Sequence, residues 1–167
     1  PKSKLNFGEN LLSKNNKEKA ATFISENGFR ETRNWEELND NVRKIIGFLK
    51  SIEIKKKDRV AAYMPNIIET VEAFIGSVSS GAIWSSCSPD FGAKGVIERF
   101  SQISPKVLFT TNKYFYNGKQ IDILNRLPEI LKKIPSIKYV IISNYPGQKI
   151  RLKKFRFKKV KVFYWSE

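Results

Sequence analysis

The chain has 167 residues, of which 41% are hydrophobic and 13% aromatic, enough to bury one sizeable core. It has no histidine and one cysteine, Cys87, which excludes histidine-based triads, imidazole general bases and the usual tetrahedral zinc sites. A single cysteine cannot form an internal disulfide, and this usage favours a reducing cytoplasm. No apolar run approaches the roughly 18 residues needed to cross a bilayer, so we expect no membrane span.

The net charge of +15 and the isoelectric point near 9.9 raise nucleic acid or an anionic surface as a partner. The segment Lys149–Lys161 is strongly basic and contains no acid, and Phe155 and Phe157 alternate with its charges. Such a strand can follow a phosphate backbone. Because no nucleic-acid-binding motif accompanies it, we favour a solvated lysine-rich surface and a half-exposed strand or loop that leans on the rest of the domain. A basic nucleic-acid-binding module is the alternative from a different functional class.

The predicted elements begin with a polar extension over residues 1–19, in which a few apolar side chains form one short cluster. Two short strands follow, Ala20–Ile24 and Phe29–Thr32. They flank the dipeptide Asn27-Gly28, which is a strong tight-turn signal. This part of the chain therefore predicts a small hairpin.

Two helices are predicted from capping spacing followed by apolar periodicity. Asn34 and Glu37 are three residues apart, as in a capping box. The apolar face that follows them consists of Leu38, Val42, Ile45, Leu49 and Ile52, at helical spacing. Asn66 and Glu69 repeat the capping spacing ahead of a second apolar face, so both pairs are predicted to begin a helix.

Short apolar strands alternate with helices through most of the remaining chain. The predicted strands are Val60–Met64, Ala82–Cys87, Val107–Thr111 and Tyr139–Ser143. Apolar faces at helical spacing lie between them, the last in a segment that Pro128 breaks or kinks. Such alternation is typical of βαβ units, so we predict an α/β fold with a parallel sheet flanked by helices.

The most unusual loop, Trp84–Gly92, follows a predicted strand and leads into a helix, where open parallel sheets bind ligands. Its small residues would let a ligand approach the backbone, and Trp84 or Phe91 would offer an apolar wall. Asp90 has two interpretations, a ligand contact or the N-cap of the next helix, and spacing alone favours the cap. Cys87 has no histidine to activate it, so we predict a buried side chain rather than a nucleophile.

The stretch Tyr116-Asn117-Gly118-Lys119 places a lysine directly after a tight turn. Lys119 is therefore either a point charge for a phosphate or part of a plain surface turn, and composition alone favours the turn. No phosphate-binding loop of the form G-x-x-x-x-G-K-[ST] occurs anywhere in the sequence.

Three stretches resemble the acetoacetate–CoA ligases, which are members of the adenylate-forming acyl-CoA synthetase superfamily. They are LNFGENLL at 5–12, KKKDRVAAYMPN at 55–66 and GAIWSSCSPDFGAKGVIERFSQISPKVLF at 81–109. The pattern D-R-V-A-x-Y-M-P-N is shared broadly across the superfamily, whereas WSSCSPDFG is more selective and points to the acetoacetate branch. The resemblance covers nearly the whole chain and weakens after about Tyr145.

The resemblance implies a two-step reaction that uses ATP, CoA and Mg²⁺. The acetoacetate carboxylate attacks the α-phosphorus of ATP, which releases pyrophosphate, and the CoA thiol then displaces AMP from the acyl-adenylate. The family's phosphate loop and catalytic lysine have no counterpart in this sequence. We therefore expect an N-terminal fragment that is inactive alone, with no catalytic residue, no metal ligand and the rest of its own synthetase chain as a partner.

In related synthetases, the loop corresponding to Ser88–Phe91 and a basic pair after the following strand contact the CoA nucleotide. The basic pair corresponds to Tyr116 and Lys119, of which only Lys119 keeps the charge. The resemblance thus implies Pro89, Asp90 and Lys119 as CoA contacts.

The same resemblance sets the remaining expectations. Residues 1–19 correspond to an amino-terminal extension and residues 20–167 to the first, incomplete part of the AMP-binding domain. We expect a cytoplasmic protein with acetoacetate as its small-molecule substrate and no nucleic-acid partner. A ligase for another short acid, such as acetate or propionate, is the nearest alternative, and a regulatory remnant without chemistry is a third.

Overall fold

The computed structural model describes residues 5–147 and 155–166 of the chain. Its first elements are α1 (Phe7–Leu11), β1 (Lys19–Ile24), β2 (Arg30–Asn34) and α2 (Trp35–Ser51). β1 and β2 pair antiparallel, and Gly28 turns the chain between them with a φ of +80°, which glycine adopts without strain. The hairpin predicted around Asn27-Gly28 is therefore confirmed.

Strands alternate with helices in most of the chain that follows. They are β3 (Arg59–Tyr63), α3 (Ile68–Ser79), β4 (Ile83–Cys87), α4 (Gly92–Ile103), β5 (Val107–Thr111), β6 (Lys113–Tyr116), β7 (Lys119–Asp122), α5 (Leu127–Lys133), β8 (Tyr139–Ser143) and β9 (Lys161–Tyr164). Five strands form one parallel sheet in the order β4-β3-β5-β8-β9, while β6 and β7 form a separate antiparallel hairpin. The predicted α/β fold with a helix-flanked parallel sheet is confirmed, and β9 adds an edge strand to it.

The central strands of the sheet are buried on both faces, as expected for parallel strands covered by helices. All five residues of β5 are buried, and so are the last four residues of β3 and of β8. Phe109 on β5 and Phe100 on α4 are among the largest fully buried side chains. Burial of each such aromatic ring contributes about 2–3 kcal/mol, so the sheet and its helices form the main core.

Helix α2 begins with the predicted capping box. The Asn34 side chain accepts a hydrogen bond from Glu37 N, and the Glu37 carboxylate accepts one from Asn34 N, both at 2.9 Å. Its buried face packs on α3 so closely that a Cβ on Gly76 would lie 2.6 Å from Ile45 Cγ2. No helix in the described part of the chain has both the length and the apolar character to cross a membrane.

Helix α1 lies against the carboxyl end of α3. Asn6 Nδ2 donates to the Ser79 carbonyl at 3.0 Å, and Phe7 lies against Phe74 with ring centroids 5.6 Å apart. A Cβ on Gly8 would lie only 1.9 Å from Ser79 Oγ, so this approach requires glycine. The amino-terminal residues are thereby packed onto the body of the fold.

The second capping prediction is wrong. Helix α3 has Ile67 at its N-cap, and no side chain caps it there. The Pro65 carbonyl instead closes this turn, since it accepts from Ile67 N at 2.9 Å and from Thr70 Oγ1 at 2.7 Å. The break at Pro128 is confirmed, because a 3₁₀ turn precedes α5 and Pro128 lies in the first turn of that helix.

The basic segment Lys149–Lys161 is only partly covered by the structure, since its residues through Lys154 lie outside the described residues. Phe157 and Val160 form an isolated antiparallel bridge, and Lys161 begins β9. The described end of the segment is thus half-exposed, as predicted, and forms a bridged turn that leads into the strand beginning at Lys161.

A buried polar cluster joins β2 to α2 and α3. Glu72 is fully buried, and its Oε1 accepts from Asn41 Nδ2 at 2.8 Å and lies 3.7 Å from Arg33 Nε. Arg33 also pairs with Glu31 at 2.6 Å and lies 4.0 Å from Glu69, so three carboxylates share one guanidinium. Burial, with a smaller contribution from Glu69, raises the pKa of Glu72 to about 7.

This shift predicts that stability falls as pH rises through the neutral range. Folded Glu72 keeps its proton up to about pH 7, whereas the unfolded side chain releases it near the ordinary glutamate pKa of 4.5. The folded state therefore binds more protons between these values, and the free energy of unfolding should decrease by about 3 kcal/mol from pH 5 to pH 8.

The measurement is urea denaturation at several pH values. Glu72→Gln should remove most of this dependence and unfold at higher urea than the wild type at pH 8. The exposed Glu129→Gln on α5 is the matched control and should follow the wild type. Parallel pH profiles for the wild type and Glu72→Gln would contradict a neutral buried Glu72.

Candidate functional site

The loop Ser88–Gly92 lies at the carboxyl end of the parallel sheet, directly after β4. Pro89–Phe91 forms a single 3₁₀ turn, and the Ser88 hydroxyl caps it by accepting from Asp90 N at 3.4 Å. Gly92 has a φ of +62° and connects the turn to α4. The loop therefore occupies the position in the fold where parallel α/β sheets bind ligands.

Asp90 is exposed and does not cap helix α4, so the N-cap interpretation is wrong. The 3₁₀ turn and the positive φ of Gly92 separate Asp90 from the helix. Its carboxylate instead accepts from the Tyr114 hydroxyl at 2.5 Å and from Ser88 Oγ at 2.7 Å. These two hydrogen bonds lower the pKa of Asp90, so the loop presents an ionised carboxylate at neutral pH.

Pro89 is buried, and its carbonyl faces the protein interior. It accepts from the Tyr63 hydroxyl at 3.2 Å and from Arg126 Nη1 at 2.8 Å. Arg126 Nη1 also donates to the Tyr63 hydroxyl at 2.6 Å. Tyr63 is the last residue of β3 and is fully buried, so the loop is held from below by the end of a core strand.

Lys119 is exposed and lies at the start of β7, opposite Tyr116 on β6. Asn117 and Gly118 both have positive φ, +49° and +70°, as a two-residue hairpin turn requires. Because side chains alternate along a strand, Tyr114, Tyr116 and Lys119 lie on one face of the hairpin. The Tyr114 and Tyr116 rings are 6.4 Å apart, which links Asp90 to Lys119 through two tyrosines.

Glu26, in the turn of the amino-terminal hairpin, fixes the tip of the β6–β7 hairpin. Its two carboxylate oxygens accept from Asn117 N at 3.0 Å and from Gly118 N at 3.2 Å. The turn before Lys119 is therefore attached to the body of the protein at a point 91 residues away in sequence.

The base of the same hairpin is attached to the sheet by Asn112, which is 7% exposed. Asn112 N donates to the Ser143 carbonyl at 3.0 Å, and its own carbonyl accepts from Ile123 N at 3.0 Å. Asn112 Oδ1 accepts from Tyr145 N at 2.8 Å. One side chain and its backbone thus join the ends of β5, β7 and β8.

The aromatic residues of the predicted loop have different surroundings. Trp84 is half-buried and packs against the core between Phe74 and Phe109, with ring centroids 5.9 and 6.3 Å away. Phe91 is 49% exposed, and the Arg99 guanidinium lies 4.1 Å above its ring. Of the two residues expected to offer an apolar wall, Phe91 is the more exposed and Trp84 is half-buried.

Cys87 is buried, as predicted, and burial raises the pKa of its thiol. A higher pKa lowers the fraction of thiolate, which is the nucleophilic form. The structure therefore supports a packing role for this residue.

A groove of about 390 Å³ lies beside the hairpin, on the face opposite Lys119. Its lining comes from β1 and the turn that follows it, including Glu26, from the segment between Pro65 and the start of α3, and from two aromatic side chains, Phe115 and Tyr145. None of Pro89, Asp90 and Lys119 lines it. The structure thus groups the three predicted residues around the loop and hairpin, outside this groove, and Glu26 lines the groove while it also holds the hairpin tip.

Sequence reasoning missed four residues of this site: Glu26, Tyr63, Tyr114 and Arg126. Tyr114 alternates with Tyr116 in a strand-like pattern, and this signal was available in the sequence. The contacts of the other three span 26 to 92 residues, and a single sequence offers no signal for contacts at such distances.

The chain is similar to acetoacetyl-CoA synthetases over most of its length. The Rattus norvegicus protein is 39% identical over 156 residues, and the Rhizobium meliloti protein is 42% identical over 152 residues. Malonamoyl-CoA synthetase vrtB of Penicillium aethiopicum is 34% identical over 146 residues. These alignments cover 91%, 91% and 84% of this chain but only 23%, 23% and 20% of the relatives.

A solved structure, the acetoacetyl-CoA synthetase from Streptomyces lividans, matches with a TM-score of 0.85 at 30% sequence identity. The match covers 97% of this chain and 24% of that one, so this chain spans about a quarter of the length of its relatives. The family model described as AMP-binding enzyme matches residues 12–161. The chain therefore belongs to the AMP-binding enzyme family.

Proposed function

We propose that this chain is part of the adenylate-forming domain of an enzyme that converts acetoacetate and CoA to acetoacetyl-CoA. The observation that carries the proposal is the 39–42% identity to acetoacetyl-CoA synthetases over 91% of the chain. We assign residues 1–19 to an amino-terminal extension and residues 20–167 to the first part of the AMP-binding domain.

The proposed reaction has two steps. An acetoacetate carboxylate oxygen attacks the α-phosphorus of ATP, and the bond to pyrophosphate breaks. The CoA thiolate then attacks the acyl carbon, and AMP leaves with the electron pair of the acyl–oxygen bond. We assign no catalytic residue within this chain, because its sequence contains no phosphate-binding loop that ends in lysine.

The proposed reaction includes Mg²⁺, which would accompany the phosphates of ATP. Within residues 5–147 and 155–166, no group of three or more acidic or cysteine side chains is arranged to hold a metal ion. We therefore assign Mg²⁺ no ligand among these residues, and the proposed contribution of this chain is to CoA.

The proposed CoA surface consists of the loop and the exposed face of the β6–β7 hairpin. Lys119 offers a point charge for a phosphate of the CoA nucleotide. Tyr116 is 56% exposed on the same face and offers a ring for the adenine to stack on. Asp90, being ionised, suits a hydroxyl or amino donor of the nucleotide rather than its phosphates. Pro89 is buried, so we propose that it acts by shaping the loop.

The acid substrate is proposed from the relatives. Acetoacetate and malonamate are similar in size, and each carries a carbonyl group two carbons from its carboxylate. Relatives named for both acids match this chain, which supports a short 3-oxo acid. Acetate and propionate, the nearest alternatives, lack that carbonyl.

The remaining partners and the location are also proposals. We propose no nucleic-acid partner and a cytoplasmic location, which the single buried cysteine supports. Binding of duplex or single-stranded DNA that weakens steeply with salt would favour the alternative of a basic nucleic-acid-binding module.

The direct test is the activity of the complete gene product that contains this chain. Acetoacetate should drive exchange of labelled pyrophosphate into ATP, and added CoA should convert the adenylate to acetoacetyl-CoA and AMP. Acetate and propionate should be used at least tenfold less efficiently than acetoacetate. Use of malonamate would show that the enzyme accepts other short acids with a carbonyl group at the same position. Residues 1–167 alone should show no exchange. Preferred use of acetate, or exchange by residues 1–167 alone, would contradict the proposal.

The hairpin contact is tested with Lys119→Ala in the same complete protein. Loss of one charge contact to a phosphate should raise KM for CoA by about tenfold, with the acetoacetate-dependent exchange unchanged. Lys113→Ala is the matched control, because Lys113 lies on the opposite face of the same hairpin and bonds to Gln120 at 2.8 Å. An unchanged KM in Lys119→Ala would remove Lys119 from the CoA surface.

A further inference from the structure

The Pro89 carbonyl is the point at which the loop is held to the rest of the protein. Within the loop it accepts from Gly92 N, which closes the 3₁₀ turn. From below it accepts from the Tyr63 hydroxyl and Arg126 Nη1 at 3.2 and 2.8 Å. Tyr63 cannot shift without disturbing the core, since it is fully buried at the end of a central strand.

Arg126 lies just beyond the hairpin that carries Lys119. It ends the 3₁₀ turn that follows β7, while Tyr114 lies on β6. Two contacts thus join this part of the chain to the loop, one from Tyr114 on β6 to Asp90 and one from Arg126, just after β7, to Pro89. These two ties set the spacing between the loop and the hairpin.

We propose that Arg126 and Tyr63 are positioning residues for CoA, which hold the Pro89 carbonyl and so fix the distance between Asp90 and Lys119. The inference rests on the proposed CoA surface. A ligand that touches both the loop and the hairpin binds well only when the two are already correctly spaced, because otherwise part of its binding energy is spent in ordering them.

The chemistry of Arg126 suits this role. A guanidinium is always charged and carries several donors in a fixed plane, so one nitrogen can serve both the hydroxyl and the carbonyl. Its charge also favours the ionised form of Asp90, whose pKa is lowered partly by Arg126. A lysine would keep the charge but lacks the fixed plane of donors, and a glutamine would remove the charge.

The experiment compares Arg126→Gln, Arg126→Lys and Tyr63→Phe in the complete gene product that contains this chain. KM for CoA is measured in the full reaction, and pyrophosphate exchange is measured without CoA. Arg126→Gln should raise KM for CoA by about tenfold, because it loses a hydrogen bond from a charged donor. Arg126→Lys and Tyr63→Phe should have intermediate values, and exchange should stay within about twofold of the wild type.

Arg43→Gln is the matched control, since Arg43 is exposed on α2 and pairs with Asp40 on the same helix. A second measurement is amide hydrogen exchange of residues 88–92, which should become faster in Arg126→Gln while the sheet stays protected. That result shows directly that the tie holds the loop.

Each outcome has one meaning. A raised KM for CoA with unchanged pyrophosphate exchange supports the positioning role of Arg126. A wild-type KM for CoA in folded Arg126→Gln overturns this role. An equal loss of CoA-dependent turnover and of pyrophosphate exchange also overturns it, because it indicates general damage to the fold. A wild-type protein without CoA-dependent turnover contradicts the proposed function itself, and the inference with it.

Discussion

The parallel pairing of β3 between β4 and β5 is the constraint on which the rest of the structure depends. Because parallel strands all point the same way, the residues that follow each of them meet at one edge of the sheet. The loop Ser88–Gly92, the base of the β6–β7 hairpin and the Tyr63 hydroxyl are neighbours for this reason. No local sequence signal brings these segments together; burial of the apolar strands does.

At that edge the polar contacts add precision to a position that burial has already set. Asn112 joins three strand ends, Tyr114 and Arg126 tie the hairpin to the loop, and Glu26 holds the hairpin tip. Each hydrogen bond contributes only about 1 kcal/mol to stability. Several acting on one short hairpin nevertheless leave it little freedom, and a preformed surface of that kind binds a ligand at a lower entropic cost.

The sequence predicted most of the fold, because apolar periodicity and short-range caps are local properties. Asn34 and Glu37 formed the expected box, and the strand–helix alternation gave the parallel sheet. The same spacing failed at Asn66, where the Pro65 carbonyl closes the turn instead. It failed at Asp90 as well, where Tyr114, 24 residues away, takes the carboxylate. The site depends on such distant partners, so periodicity could place the loop but not the groups that hold it.

The hydrogen bond between Asp90 and Tyr114 affects how the charge of this surface depends on pH. The hydrogen bond lowers the pKa of Asp90, while burial and the same carboxylate raise the pKa of Tyr114 above its usual value. The pair therefore carries a single negative charge from mildly acidic to strongly alkaline solution. The buried cluster around Glu72, in contrast, titrates near neutrality. A change of pH near neutrality would thus act on the packing of β2 against the helices and leave the charge of the Asp90–Tyr114 pair unaltered.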